Sequence, residues 1–77
     1  MSDTRSLSTI AADIRATWPK VHFAAAPYLE AMASLNLITD NYYQDTAREI
    51  VARFLCNAQY WRGPDAKRIK AELRAMQ

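Results

Sequence analysis

His22 is the only histidine and Cys56 the only cysteine in the chain. An imidazole that takes the proton from a thiol makes an activated nucleophile, so these two residues are the first place to look for chemistry. Such a pair also needs a group to orient the base and donors for an oxyanion, and nothing in the sequence marks either. His22, close to Pro19, reads as a boundary histidine. One His, one Cys and scattered carboxylates provide none of the paired ligand spacings of zinc or calcium sites. Asp45 and Glu49 are spaced one helical turn apart, which a solvated acidic face explains without acid–base work. A glycine-rich phosphate loop is absent. The expectation is a protein that is not an enzyme, with no catalytic residue, metal or cofactor.

Charge is the stronger signal. The whole chain carries a formal net charge of only +2, too little to imply nucleic acid or anionic lipid by itself. Residues 62–77, however, hold five positive and two negative side chains. On a helical wheel with Ile69 and Leu73 facing the core, Lys67, Lys70 and Arg74 fall on one flank and Asp65 and Glu72 on the other, with Arg68 toward solvent. The segregated flank suits phosphates or an acidic protein surface, although a merely solvated face uses the same residues. Upstream, Tyr42, Glu49, Arg53, Cys56 and Tyr60 fall away from the apolar stripe of their helix, and tyrosine and arginine are favoured at protein interfaces. Burial of that helix on both sides would use the same positions as core. The expected binding surface is Arg53, Tyr60, Trp61, Arg62, Lys67, Lys70 and Arg74.

These side chains need a scaffold, and the composition favours helices. The chain has 77 residues, is 51% hydrophobic, and contains one glycine and three prolines. That is enough apolar material for one small domain and too little turn chemistry for a sandwich or barrel. The fold expected is all-α, a small bundle of about four helices near 7–17, 24–35, 41–60 and 64–76, with residues 1–6 a flexible leader to a single domain spanning 1–77. Leu7, Ile10, Ala11, Ile14 and Trp18 recur at helical spacing, with Ser6 or Ser8 placed to cap. Pro19 turns the chain. Phe23, Tyr28, Leu29, Met32 and Leu35 supply the second helix, whose Pro27 requires a start near Ala24. Thr39 or Asp40 is placed to cap a long third helix with Tyr43, Ala47, Ile50, Val51, Phe54, Leu55 and Ala58 inward. Pro64 and Asp65 suit the start of the fourth, which buries Ala66, Ile69, Leu73 and Met76.

A lone cysteine excludes an internal disulfide, and no apolar run matches a signal peptide or a membrane span. The expected location is cytoplasmic, with no membrane partner.

The runs PYLEAM (Pro27 to Met32), DNYY (Asp40 to Tyr43), WRG (Trp61 to Gly63) and AKRIKAEL (Ala66 to Leu73) resemble small proteins encoded by bacteriophages and other bacterial mobile elements. The likeness extends from about Ile10 onward. It brings no established activity and no catalytic residue. What it implies is a setting in which small accessory proteins inhibit host defence, as anti-CRISPR proteins do, or modulate transcription. The functional expectation is therefore a non-catalytic accessory protein that binds a host protein. Its alternatives are a nucleic-acid-binding transcriptional regulator using the basic flank of the fourth helix and a small homo-oligomeric structural protein.

Overall fold

The computed structural model describes residues 5–77. Four helices dominate: α1 (Leu7–Thr17), α2 (Ala26–Ala33), α3 (Ala47–Cys56) and α4 (Pro64–Met76). Between α2 and α3 a two-stranded antiparallel hairpin pairs β1 (Asn41–Tyr42) with β2 (Asp45–Thr46), Asn41 opposite Thr46 and Tyr42 opposite Asp45. The expected leader, residues 1–6, lies outside the described residues at positions 1–4. Its last two residues are held in place: Ser6 caps α1 and Arg5 is ion-paired to two carboxylates.

Local chemistry explains where each helix begins. Ser6 Oγ accepts the Thr9 amide, as an N-cap should. The next orphan donors of α1 are met from across the chain, because the Leu7 and Ser8 amides donate to the carbonyls of Asn36 and Leu35 at 2.9 and 2.8 Å. That exchange ties the start of α1 to the exit of α2. The second helix is shorter than expected, Ala26–Ala33 rather than 24–35. A turn closed by the His22 carbonyl, which accepts from the amides of Ala25 and Ala26, precedes it.

The third helix departs most from expectation. In place of one helix over 41–60 there are a hairpin, a ten-residue helix and a closing turn. Asp40 is not the cap: its carboxylate turns back to accept the amides of Asn36 and Leu37. Its carbonyl accepts the Ala47 amide at 2.7 Å, closing the hairpin. The cap is Thr46, whose hydroxyl accepts from the Glu49 amide, with the Glu49 carboxylate close to the same hydroxyl. Thr46-Ala-Arg-Glu49 is thus a capping sequence that outcompetes Thr39 and Asp40. At the other end the Asn57 side chain donates to the Arg53 carbonyl and stops the helix at Cys56.

The core is continuous across all four helices. Leu7, Ile10 and Ile14 of α1, Leu29 and Met32 of α2, Val51 and Phe54 of α3, and Ile69 and Leu73 of α4 are fully buried. Of the stripe expected on the third helix, Ala47, Ile50, Val51 and Phe54 are buried in α3 and Ala58 in the turn beyond it, while Leu55 is half-buried. Tyr43 and Phe23, expected on apolar faces, are instead 89% and 83% exposed. Both lie outside the helices, where no helical periodicity applies. Tyr43 takes the first position of the hairpin loop with φ 56°, a left-handed conformation that costs a side-chain-bearing residue about 1 kcal/mol.

Candidate functional site

The turn after α3 sets up the site. The Trp61 amide donates to the Ala58 carbonyl, and this turn swings the indole inward rather than out. Trp61 is 4% exposed. Its ring stacks on Trp18 at 5.2 Å with 5° between planes, and Phe54 meets it edge-on at 6.4 Å. Trp18, the residue before Pro19, therefore fills the corner between the end of α1 and the end of α3. Gly63 follows at φ 113°, a conformation L side chains rarely adopt, and nothing lies within 4 Å of where its Cβ would be. The requirement for glycine there is conformational rather than steric. It redirects the chain so that Pro64 opens α4 back along the Trp61 side.

The result is an open groove of about 470 Å³ lined by Trp61, Arg62, Gly63, Pro64, Ala66, Lys67, Lys70 and Arg74. Its apolar floor is Trp61 with Pro64 and Ala66. Its cations come from the linker, Arg62, and from successive turns of α4. Among the described residues, no carboxylate lies within ion-pair distance of Arg62, Lys67, Lys70 or Arg74. Lys70 is the best anchored. Its ammonium donates to the Trp61 carbonyl at 2.7 Å and sits over the Trp61 ring at 6.0 Å. Partial burial, and then the like charges of Arg74 and Arg62, hold that ammonium below the ordinary lysine pKa. An anion entering the groove would relieve that repulsion.

The opposite flank of α4 is electrically closed. Arg5 donates from Nε and Nη2 to the two Glu72 oxygens at 2.9 and 2.6 Å, and from Nη1 to Asp13 at 2.9 Å. Arg68 reaches the same Asp13 oxygen and Asp65, each at 3.2 Å. Hydrogen bonds from Arg68 and then Arg5 hold the Asp13 carboxyl below the usual carboxylate value. Arg5 is held well above its usual value by its hydrogen bonds to Glu72 and Asp13. This network binds the segment before α1, α1 itself and α4, and it engages both acidic residues of α4.

Of the seven residues expected from sequence, the groove gathers Trp61, Arg62, Lys67, Lys70 and Arg74 and leaves out Arg53 and Tyr60. Trp61 is a correction to the exposed-surface expectation: it is buried, and it contributes a floor rather than a contact ridge. Arg53 stands apart, beside Asp45 at 3.9 Å and Glu49 at 3.7 Å. Asp45 and Glu49, expected on one helix, lie in β2 and in the first turn of α3. Tyr60 is 78% exposed, next to the groove in sequence but turned toward another pair of rings. His22 lies between Phe23 and Tyr60, with ring centroids 4.7 and 5.5 Å away and planes tilted 28° and 26°.

The His22 Nδ1 accepts the Ala24 amide, while Cys56 is exposed at the end of α3. No hydrogen bond joins the two. No cluster of three metal-ligating side chains occurs among the described residues, and no helix there is long and apolar enough to cross a membrane. Sequence reasoning misses the ring stack because Phe23 fits the apolar face of a helix and His22 fits a boundary position. The available signal is the adjacency of two planar side chains shortly after a proline turn. The chain matches no family model, no curated protein and no solved structure.

Proposed function

We propose that this chain is a non-catalytic binding protein that holds a nucleic-acid backbone in the groove beside α4. One observation carries the reading: Arg62, Lys67, Lys70 and Arg74 converge on a single open groove with no carboxylate partner in the described chain. Unpaired cations at successive helical turns suit a linear polyanion, whose condensed counterions are released on binding. A formal charge of +2 for the whole chain understates this, since the negative side chains of α4 are engaged by Arg5 and Arg68. The role that follows is that of an accessory regulator using the fourth helix.

An acidic surface of a host protein is the second reading, and the apolar floor of Trp61, Pro64 and Ala66 favours it, because a partner side chain could fill it. A host protein is the partner expected of an anti-defence inhibitor, one of the two roles, beside modulation of transcription, that the resemblance implies. Two of the residues expected to serve it are otherwise occupied. Trp61 is buried, and Arg53 is engaged by Asp45 and Glu49. Self-association through the exposed side of α3 is checked by mass measurement in solution.

The experiment is fluorescence anisotropy with labelled single-stranded and duplex DNA, titrated in salt, with polyglutamate as competitor. Binding that weakens steeply with salt, and that is lost in the K67Q/R74Q double variant, is expected. Absence of binding at low salt, or binding indifferent to K67Q/R74Q, overturns the proposal. Polyglutamate binding more tightly than either nucleic acid moves the assignment to an acidic protein.

A further inference from the structure

We infer that the Phe23–His22–Tyr60 ring stack is a base-stacking ledge that makes the groove select single-stranded over duplex nucleic acid. The inference rests on the groove reading above and deepens it.

The stack is built from two distant segments. His22 and Phe23 come from the turn before α2, and Tyr60 from the turn after α3. His22 occupies the middle, so the outer faces of Phe23 and Tyr60 are the open ends of the pile. Phe23 and Tyr60 are 83% and 78% exposed. Isolated exposed apolar side chains are ordinary, but three rings piled with tilts of 28° and 26° between neighbours leave an exposed aromatic face at each end. Trp61, buried against the half-buried Trp18, already supplies the packing of this corner, so the outer stack is not needed as core.

Position links the ledge to the cations. Tyr60, Trp61 and Arg62 are consecutive: the first joins the stack, the second floors the groove and the third is one of its cations. Consecutive Cα atoms are about 3.8 Å apart, so the backbone carrying Tyr60 lies within about 8 Å of that carrying Arg62, and a strand of a few nucleotides spans from the groove cations to the rings. Flat aromatic faces next to a basic channel are the combination that binds single strands without sequence preference. The rings take bases and the cations take phosphates. A duplex keeps its bases stacked on each other and offers the ledge nothing.

The test uses the full chain and three labelled probes of equal length: an oligothymidylate, an abasic oligonucleotide with the same phosphates, and a duplex. The expected order is oligothymidylate tightest, with the abasic strand weaker by about tenfold. F23A and Y60A, both at exposed positions, each weaken oligothymidylate binding several-fold and leave abasic and duplex binding unchanged. K67Q/R74Q weakens all three and lowers the salt slope by about one and a half units on single strands. Equal affinity for oligothymidylate and the abasic strand, or indifference to F23A and Y60A while K67Q/R74Q still acts, overturns the ledge and leaves the groove reading standing. Indifference to K67Q/R74Q overturns both. Circular dichroism of each variant guards against loss of fold.

Discussion

The two flanks of α4 are both built of charged residues and reach opposite electrostatic ends. On one flank Asp65, Arg68 and Glu72 meet Asp13 and Arg5, and every charge has an opposite within 3.2 Å. On the other, Arg62, Lys67, Lys70 and Arg74 have none among the described residues, and the charged form of Lys70 is disfavoured by partial burial and then by its cationic neighbours. The closed flank is a docking device inside the molecule, joining α4 to α1 and to Arg5. The open flank makes one such tie, Lys70 to the Trp61 carbonyl, and leaves its cations without a carboxylate among the described residues. Charge count alone therefore misleads: the charges paired within the fold and those left unpaired among the described residues are separated by which neighbour α1 provides.

The largest effect expected from perturbing this contrast is on ligand affinity. Reversing Lys67 and Arg74 to Glu should lower oligonucleotide affinity by about 100-fold or more at low salt, since each lost phosphate contact also removes counterion release. The melting temperature should hardly move. Arg68→Glu should do the opposite, lowering the melting temperature by setting three carboxylates against one another while leaving affinity intact. Anisotropy and thermal melts on the same samples decide whether the flanks are as separate as the geometry has them.

The core that both flanks share gives the next largest effect. Phe54 is fully buried and meets both Trp18 and Trp61 edge-on. Phe54→Ala should cost about 3–5 kcal/mol in urea unfolding. In a chain this small that is enough to blur both flanks together.

A smaller, pH-dependent effect belongs to the closed flank alone. Because the folded state depresses the Asp13 pKa, its contribution to stability is complete above the unfolded value near 3.8 and is lost as pH falls through the lower folded value. Asp13→Asn should remove that acid-sensitive component, so the difference in melting temperature between wild type and variant should shrink toward acid. The smallest expected change is spectroscopic. The Lys70 ammonium, depressed in the fold, is penalised while charged, and that penalty lifts as pH rises through its folded pKa toward 10.5. R62Q and R74Q should each move its NMR titration back upward, as should bound oligonucleotide.

Much of the scaffold is legible in the amino-acid sequence. The spacing of Leu7, Ile10, Ala11 and Ile14, and of Ala66, Ile69 and Leu73, marks helices that are present with those residues buried. Pro64 after Gly63 marks the residue at which α4 begins. The third helix is shorter than its periodicity suggests because Tyr43 and Ala47, four apart, fit a helical period as well as they fit a hairpin loop and the first residue after the Thr46 cap. The choice falls to Asp40, whose carboxylate closes the preceding turn instead of capping ahead. Similarly, residues 62–77 show segregated charge on a wheel, yet a wheel cannot show that Arg5 and Asp13 would arrive to neutralise one side.

By itself, the sequence determined an apolar periodicity that makes helices, a glycine–proline break that starts α4, and a basic flank on that helix. These are local consequences of side-chain spacing and backbone preference. Only the tertiary structure decided which charges remain open, that Trp61 is a floor rather than a ridge, and that His22, Phe23 and Tyr60 form one stack. Each of those depends on residues dozens of positions apart, brought together by burial of a shared core that no local pattern encodes.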